Sequence, residues 1–83
     1  MNRTHWAIKW RSSSLLDGKQ EHLICAPELG LPLLFRTRKD ARWYREAVYG
    51  YIRERIDLQS EPHGWRMPTV VAVNVEVKEA HAT

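Results

Sequence analysis

Residues 4–11, Thr-His-Trp-Ala-Ile-Lys-Trp-Arg, alternate in polarity. Trp6, Ile8 and Trp10 fall on one side of an extended chain, and His5, Ala7, Lys9 and Arg11 fall on the other. Period-two spacing of aromatic and β-branched residues predicts a half-buried strand. Asp17-Gly18 suits the positive φ of a tight turn. A second strand is expected from about Gln20 to Ala26, giving a β-hairpin whose connection is rather long if Ser12, Ser13 and Ser14 are unpaired. Pro27, Gly30 and Pro32 then break the chain into a loop. Leu33, Leu34 and Phe35 add a short extended piece.

The period changes after Thr37. Thr37 followed three residues later by Asp40 is close to a capping box. A helix over residues 38–55 places Ala41, Tyr44, Ala47, Val48, Tyr51 and Ile52 on one stripe, at the three-and-four spacing of a buried face. Gly50 lies inside this run, costs about 1 kcal/mol relative to Ala, and marks a bend or an end. Residues 59–68, with Pro62, Gly64 and Pro68, are expected as an ordered loop, either a binding loop around Glu61-Pro-His-Gly-Trp or one pinned to the core by Trp65 as an apolar anchor. Alternation returns at 69–78: Val71, Val73, Val75 and Val77 share one side, and Val70, Ala72, Asn74 and Glu76 the other. Residues 79–83 are expected as a frayed tail.

These elements predict one α+β domain over residues 1–83, in the order β-β-α-β. The helix connection returns the chain so that the last strand pairs beside the first. The result is a three-stranded antiparallel sheet of order 2-1-3, with the helix on one face. The indole side of the first strand, the valine side of the last and the helix stripe are expected to meet in one core. An exposed edge on the second or third strand would allow dimerisation by strand addition, and the oligomeric state stays open.

Composition adds limits. At 83 residues, the chain has room for one domain with a modest core, which four Trp enlarge. Cys25 is the only cysteine, so no internal disulfide forms. No stretch approaches the ~20 apolar residues of a bilayer-spanning helix, and His5, Lys9 and Arg11 interrupt any signal-peptide core. The cytoplasm is the expected compartment, with no membrane partner.

Net charge is +3, but it is unevenly placed. Residues 36–55 hold Arg36, Arg38, Lys39, Arg42, Arg45, Arg53 and Arg55 against Asp40, Glu46 and Glu54, a local +4. Arg38, Arg42 and Arg45 stand at i, i+4 and i+7, so they project from one side of the predicted helix. They sit in its first turns, where the helix dipole disfavours cations. A solvated face answered by Glu46 and other acids is the plain alternative to a binding face. The candidate partner-binding set is Arg36, Arg38, Lys39, Arg42, Trp43, Arg45 and Arg53.

Signals for catalysis are thin. Cys25 lies beside Leu23 and Ile24 and reads as a small buried thiol, not a nucleophile. His5, His22, His63 and His81 follow no metal-ligand spacing. His5 and His22 could face one another across the hairpin, away from the indoles, as a surface pair. There is no phosphate loop and no nucleophile elbow. The expectation is a non-enzymatic protein without catalytic residues, metal or cofactor.

Two resemblances add to this. The series Trp6-Ala-Ile-Lys-Trp-Arg, Asp17-Gly-Lys and Leu34-Phe-Arg-Thr-Arg-Lys-Asp-Ala-Arg-Trp resembles the arm-type DNA-binding domain of phage integrases and its plant AP2 relatives, over roughly the first half of the chain. It departs from that pattern in the Pro-containing stretch where the family has its third strand, and in the strand after the helix. The series Phe35-Arg-Thr-Arg, Tyr49-Gly-Tyr-Ile-Arg and Glu61-Pro-His-Gly-Trp-Arg-Met-Pro is similar to small phage and prophage proteins, of which anti-CRISPR inhibitors are the best-known group. That resemblance implies a protein of a bacterial host's cytoplasm that docks on a host protein or nucleoprotein complex and inhibits it. Direct nucleic-acid binding, through the basic helix or through the sheet with Lys9 and Arg11, is the alternative.

Overall fold

The computed structural model describes residues 2–28 and 30–76. Strands β1 (Asn2–Ser14), β2 (Gly18–Leu23) and β3 (Trp65–Glu76) form one antiparallel sheet in the order β2-β1-β3. Between β2 and β3 come helix α1 (Arg38–Tyr49), a 3-10 turn (Gly50–Arg53) and the one-turn helix α2 (Ile56–Gln59). The α+β class, the β-β-α-β order of the main elements and the 2-1-3 sheet match the residue pattern, with α2 as an addition. The strand positions expected at Val77 and Lys78 and the tail at 79–83 lie outside the described residues.

The hairpin is tighter than expected. Ser12, Ser13 and Ser14 pair with Gln20, Lys19 and Gly18, so only Leu15, Leu16 and Asp17 connect the strands. Gly18 takes φ +71°, a left-handed conformation that glycine adopts without a Cβ penalty. The Asp17 N–H donates to Ser14 Oγ at 3.0 Å and fastens the turn. Beyond Leu23 the chain leaves β2, and Phe35 takes its place beside β1, exchanging backbone hydrogen bonds with Trp6 at 2.8 and 2.9 Å.

β3 begins at Trp65, inside the stretch expected to be a loop, and Pro68 does not interrupt it. Lys9 pairs with Thr69 but Arg11 pairs with Arg66, so Met67 and Pro68 together oppose Trp10. Such a bulge leaves one residue out of the ladder, which is where a residue without an N–H can sit.

The bulge also decides which side of β3 faces α1. Counted from Trp65, strict alternation would put Val71, Val73 and Val75 on the indole side. The extra residue reverses the phase. Trp6 therefore pairs with Ala72 and Ile8 with Val70, while Val71 and Val73 pair with Ala7 and His5 on the opposite side. The expected meeting of indoles, valines and helix stripe in one core does not occur.

α1 lies on the indole side. Trp10 stacks edge-on with Trp65 at 5.2 Å and stands 6.2 Å from Tyr49, while Phe35 meets Tyr44 at 5.3 Å. Ile8, Ala41 and Ile52 are fully buried there, and Pro68 is also buried. The helix stripe is rotated from the expected one: Ala41, Tyr44, Arg45, Tyr49 and Ile52 turn inward, whereas Ala47, Val48 and Tyr51 are exposed. Two causes act together. The Arg45 stem covers apolar surface in place of a smaller side chain, and the tighter 3-10 turn after Tyr49 swings Tyr51 outward.

Both ends of α1 are specified locally. Thr37 is extended (φ −125°, ψ 151°), and its Oγ1 accepts the Asp40 N–H at 3.1 Å. Gly50 marks the end of α1, as the sequence suggests, in an ordinary right-handed conformation (φ −58°) that opens the 3-10 turn.

Candidate functional site

α1 presents two adjacent ridges at i, i+4 spacing. Arg38 and Arg42 make one; Lys39, Trp43 and Ala47 make the other. Thr37 sets where the helix starts, and Ala41 fixes its rotation by burying against the sheet. All five ridge residues are exposed, as is Arg36 just before the helix. Trp43 is 71% exposed, far more than an indole retained for packing. The Arg38 guanidinium lies 5.7 Å from the Trp6 ring centroid, within cation–π range, and so is held at the flank of the helix.

The expected contact set divides in two. Among the described residues, no ion pair engages Arg36, Arg38, Lys39 or Arg42. Arg45 and Arg53 instead converge on Glu46. Arg45 Nη2 stands 3.0 Å from Glu46 Oε1 and Arg53 Nη2 stands 2.7 Å from it, with Arg53 Nη1 closing the fork on Oε2. These contacts hold the Glu46 carboxyl at about 2, chiefly through the hydrogen bond from Arg53. The Arg45 side chain is only 23% exposed, and its Nε is buried without a partner. Arg45 and Arg53 therefore tie α1 to the 3-10 turn, and the open face consists of Arg36, Arg38, Lys39, Arg42 and Trp43.

That face continues into an apolar strip whose spacing predicts burial in the core. Val48 is 40% exposed and Tyr51 47%, about one and about two turns beyond Trp43. The signal lay in the competing stripe Ala41, Arg45, Tyr49, Ile52, which an arginine at its centre disguised. Arg55 is withdrawn from the basic surface by a fork onto Asp57, at 2.9 and 2.6 Å.

The remaining candidates are scattered. His22 pairs with Trp10 on the indole side, 6.4 Å between ring centroids, while His5 lies on the other side against Val73, so the two do not face one another. His63 packs edge-on against Trp65. Cys25 is exposed, not buried, because the chain leaves the sheet after Leu23; its Sγ reaches only the Leu23 carbonyl at 3.6 Å. Among the described residues no three His, Cys, Asp or Glu side chains converge. An open cleft of about 280 Å³ is lined by Ile52, Arg53, Gln59, Trp65, Arg66 and Met67, and the Gln59 amide there caps the Ile52 and Arg53 carbonyls. Among the described residues, no helix is long and apolar enough to cross a membrane. Compared with family models, curated proteins and solved structures, the chain matches none of them.

Proposed function

We propose that this is a non-catalytic docking protein that binds an acidic macromolecular surface through the outer face of α1. The observation that carries this reading is Trp43, 71% exposed between Lys39 and Ala47 and beside two arginines that no described carboxylate engages. Trp and Arg dominate interface energies when a partner desolvates them. The unpaired guanidinium and ammonium groups at the start of α1 work against the helix dipole, a liability that a negatively charged partner removes. Resemblance to small phage proteins favours a bacterial host complex as the partner and inhibition by occupancy as the mode, as in anti-CRISPR proteins.

Nucleic acid is the second reading, because the same cations suit phosphates. The apolar strip of Val48 and Tyr51 beside them favours a protein surface over a phosphate backbone. The test is affinity capture from bacterial lysate with the wild-type chain, Arg42→Glu and Trp43→Ala, alongside titration of a DNA duplex of arbitrary sequence across salt concentrations. A protein complex held by the wild type and lost by both variants is the expected result. Duplex binding with a steep salt slope, lost in Arg42→Glu, would replace the protein partner with nucleic acid. Capture unchanged in both variants would remove α1 as the docking face.

A further inference from the structure

The two edges of the sheet are treated differently. β2 is short, at six residues, carries Lys19 and Glu21, and is followed by a bridge from Cys25 to Pro32 that turns the chain aside. Charge and brevity are common ways to keep an edge from pairing. β3 is twelve residues long, and from Met67 to Val75 it contains no charged residue. Its proline sits at the bulge, outside the stretch Thr69-Val-Val-Ala-Val-Asn-Val. Among the described residues, no backbone hydrogen bond joins that stretch to anything but β1. The 3-10 turn and α2 share a cleft with β3 at Trp65, Arg66 and Met67, and Arg66 Nη1 donates to the Gln59 carbonyl at 3.1 Å.

The register shows which groups are free. Trp6 and Ile8 direct their backbone groups away from β3, toward Phe35 and Ile24. Alternation then assigns His5, Ala7 and Lys9 to the bonds with β3, made by Val73, Val71 and Thr69. The N–H and C=O groups of Val70, Ala72 and Asn74 point outward.

We infer that β3 pairs antiparallel with β3 of a second copy of this chain, about a two-fold axis at Val73, to give a six-stranded sheet. In this register Ala72 and Asn74 of opposite chains exchange backbone hydrogen bonds. Val73 meets Val73, and Val71 meets Val75, as non-hydrogen-bonded pairs, the closest kind of cross-strand contact. No residue from Val71 to Val75 opposes a charge, so the segment is complementary to itself, the condition for a two-fold interface. The axis is perpendicular to the sheet. The half-buried valines of both chains therefore join into one strip on the side away from α1, and the two α1 helices stand on the same side. The pairing does not depend on the proposed role of α1.

The test is sedimentation equilibrium of the full chain over a range from about 1 µM to about 1 mM. Val73→Lys and Val73→Glu each place like charges directly opposite on the axis, and Asn74→Pro removes an outward N–H that β1 does not use. The wild type is expected to dimerise, each variant alone to remain monomeric with an unchanged circular dichroism spectrum, and an equimolar mixture of Val73→Lys with Val73→Glu to recover the dimer. A monomeric wild type over the whole range overturns the inference. So does a dimer that survives both Asn74→Pro and Val73→Lys, or a Lys–Glu mixture that stays monomeric while Asn74→Pro is folded.

Discussion

Gly64 is pressed against Ser13: a β-carbon on Gly64 would stand 1.8 Å from the Ser13 carbonyl oxygen and 2.5 Å from its carbon. The two residues are joined by the Ser13 N–H donating to the Gly64 carbonyl at 2.8 Å, and Gly64 adopts φ +62°. Close by, the Leu15 N–H donates to the Glu61 carboxylate at 3.0 and 3.2 Å. The turn leading into β3 is thus clamped onto the far end of the β1–β2 hairpin.

Replacing Gly64 therefore strains the backbone and forces this clamp apart. Gly64→Ala is expected to destabilise the fold by more than about 2 kcal/mol, the left-handed penalty being about 1–2 kcal/mol before any displacement of β1. Gly18 is the internal control. It has a similar φ of +71°, but no heavy atom lies within 4 Å of its would-be β-carbon. Gly18→Ala should show only the backbone penalty, about 1–2 kcal/mol. Urea denaturation of the three proteins measures both, and equal losses would mean that contact with Ser13 adds nothing.

Gly50 should behave in the opposite sense. Its φ of −58° is open to any L-residue, and an added β-carbon would meet only the end of the Glu46 side chain, at 3.8 Å. Gly50→Ala is expected to stabilise the protein by about 0.5–1 kcal/mol, mostly by narrowing the unfolded ensemble. A rise in the urea midpoint without a change in slope checks it.

Element types and strand order were legible because each element carries its own period, and the capping pair Thr37 and Asp40 marks the start of α1. What the sequence hid were phases. One extra residue at Met67-Pro68 turned Val71, Val73 and Val75 away from the helix, and no local pattern announces a bulge except the proline itself. The same kind of ambiguity concealed the inward side of α1, where Arg45 competes with Val48 and Ala47 for one place. For the candidate site, the clustering of cations was visible in the chain. Their division by Glu46 was not, because Arg53 reaches it only after the 3-10 turn brings residues seven apart together.

The roles of two tryptophans should separate cleanly. Trp43 stands away from the sheet, whereas Trp10 contacts Trp65, Tyr49 and His22. Trp43→Ala is expected to change stability by no more than about 0.5 kcal/mol, as for exposed substitutions generally. Trp10→Ala should cost at least about 2 kcal/mol in lost packing. Denaturation curves for the two variants test this, and a large loss for Trp43→Ala would make that indole structural, weakening its assignment to a docking face.

Acid should loosen the junction between α1 and the 3-10 turn. The Glu46 carboxyl titrates at about 2 in the folded protein, held down chiefly by Arg53, whereas an unfolded glutamate titrates near ~4.3. Between those values the unfolded chain binds the extra proton and the folded one does not. The stabilisation is therefore complete above the unfolded value and is lost as pH falls through the folded one. Glu21 and Asp57 are also lowered, by Lys9 first and by Arg55 first, so acid weakens the wild type through several groups at once. The difference in melting temperature between the wild type and Glu46→Gln isolates one of them. That gap should be constant near neutral pH and shrink from about pH 4.5 toward about pH 2. Added salt should narrow it at neutral pH, because the cluster is open to solvent. A gap that stays the same down to pH 2 would show that Glu46 holds the two arginines without its charge.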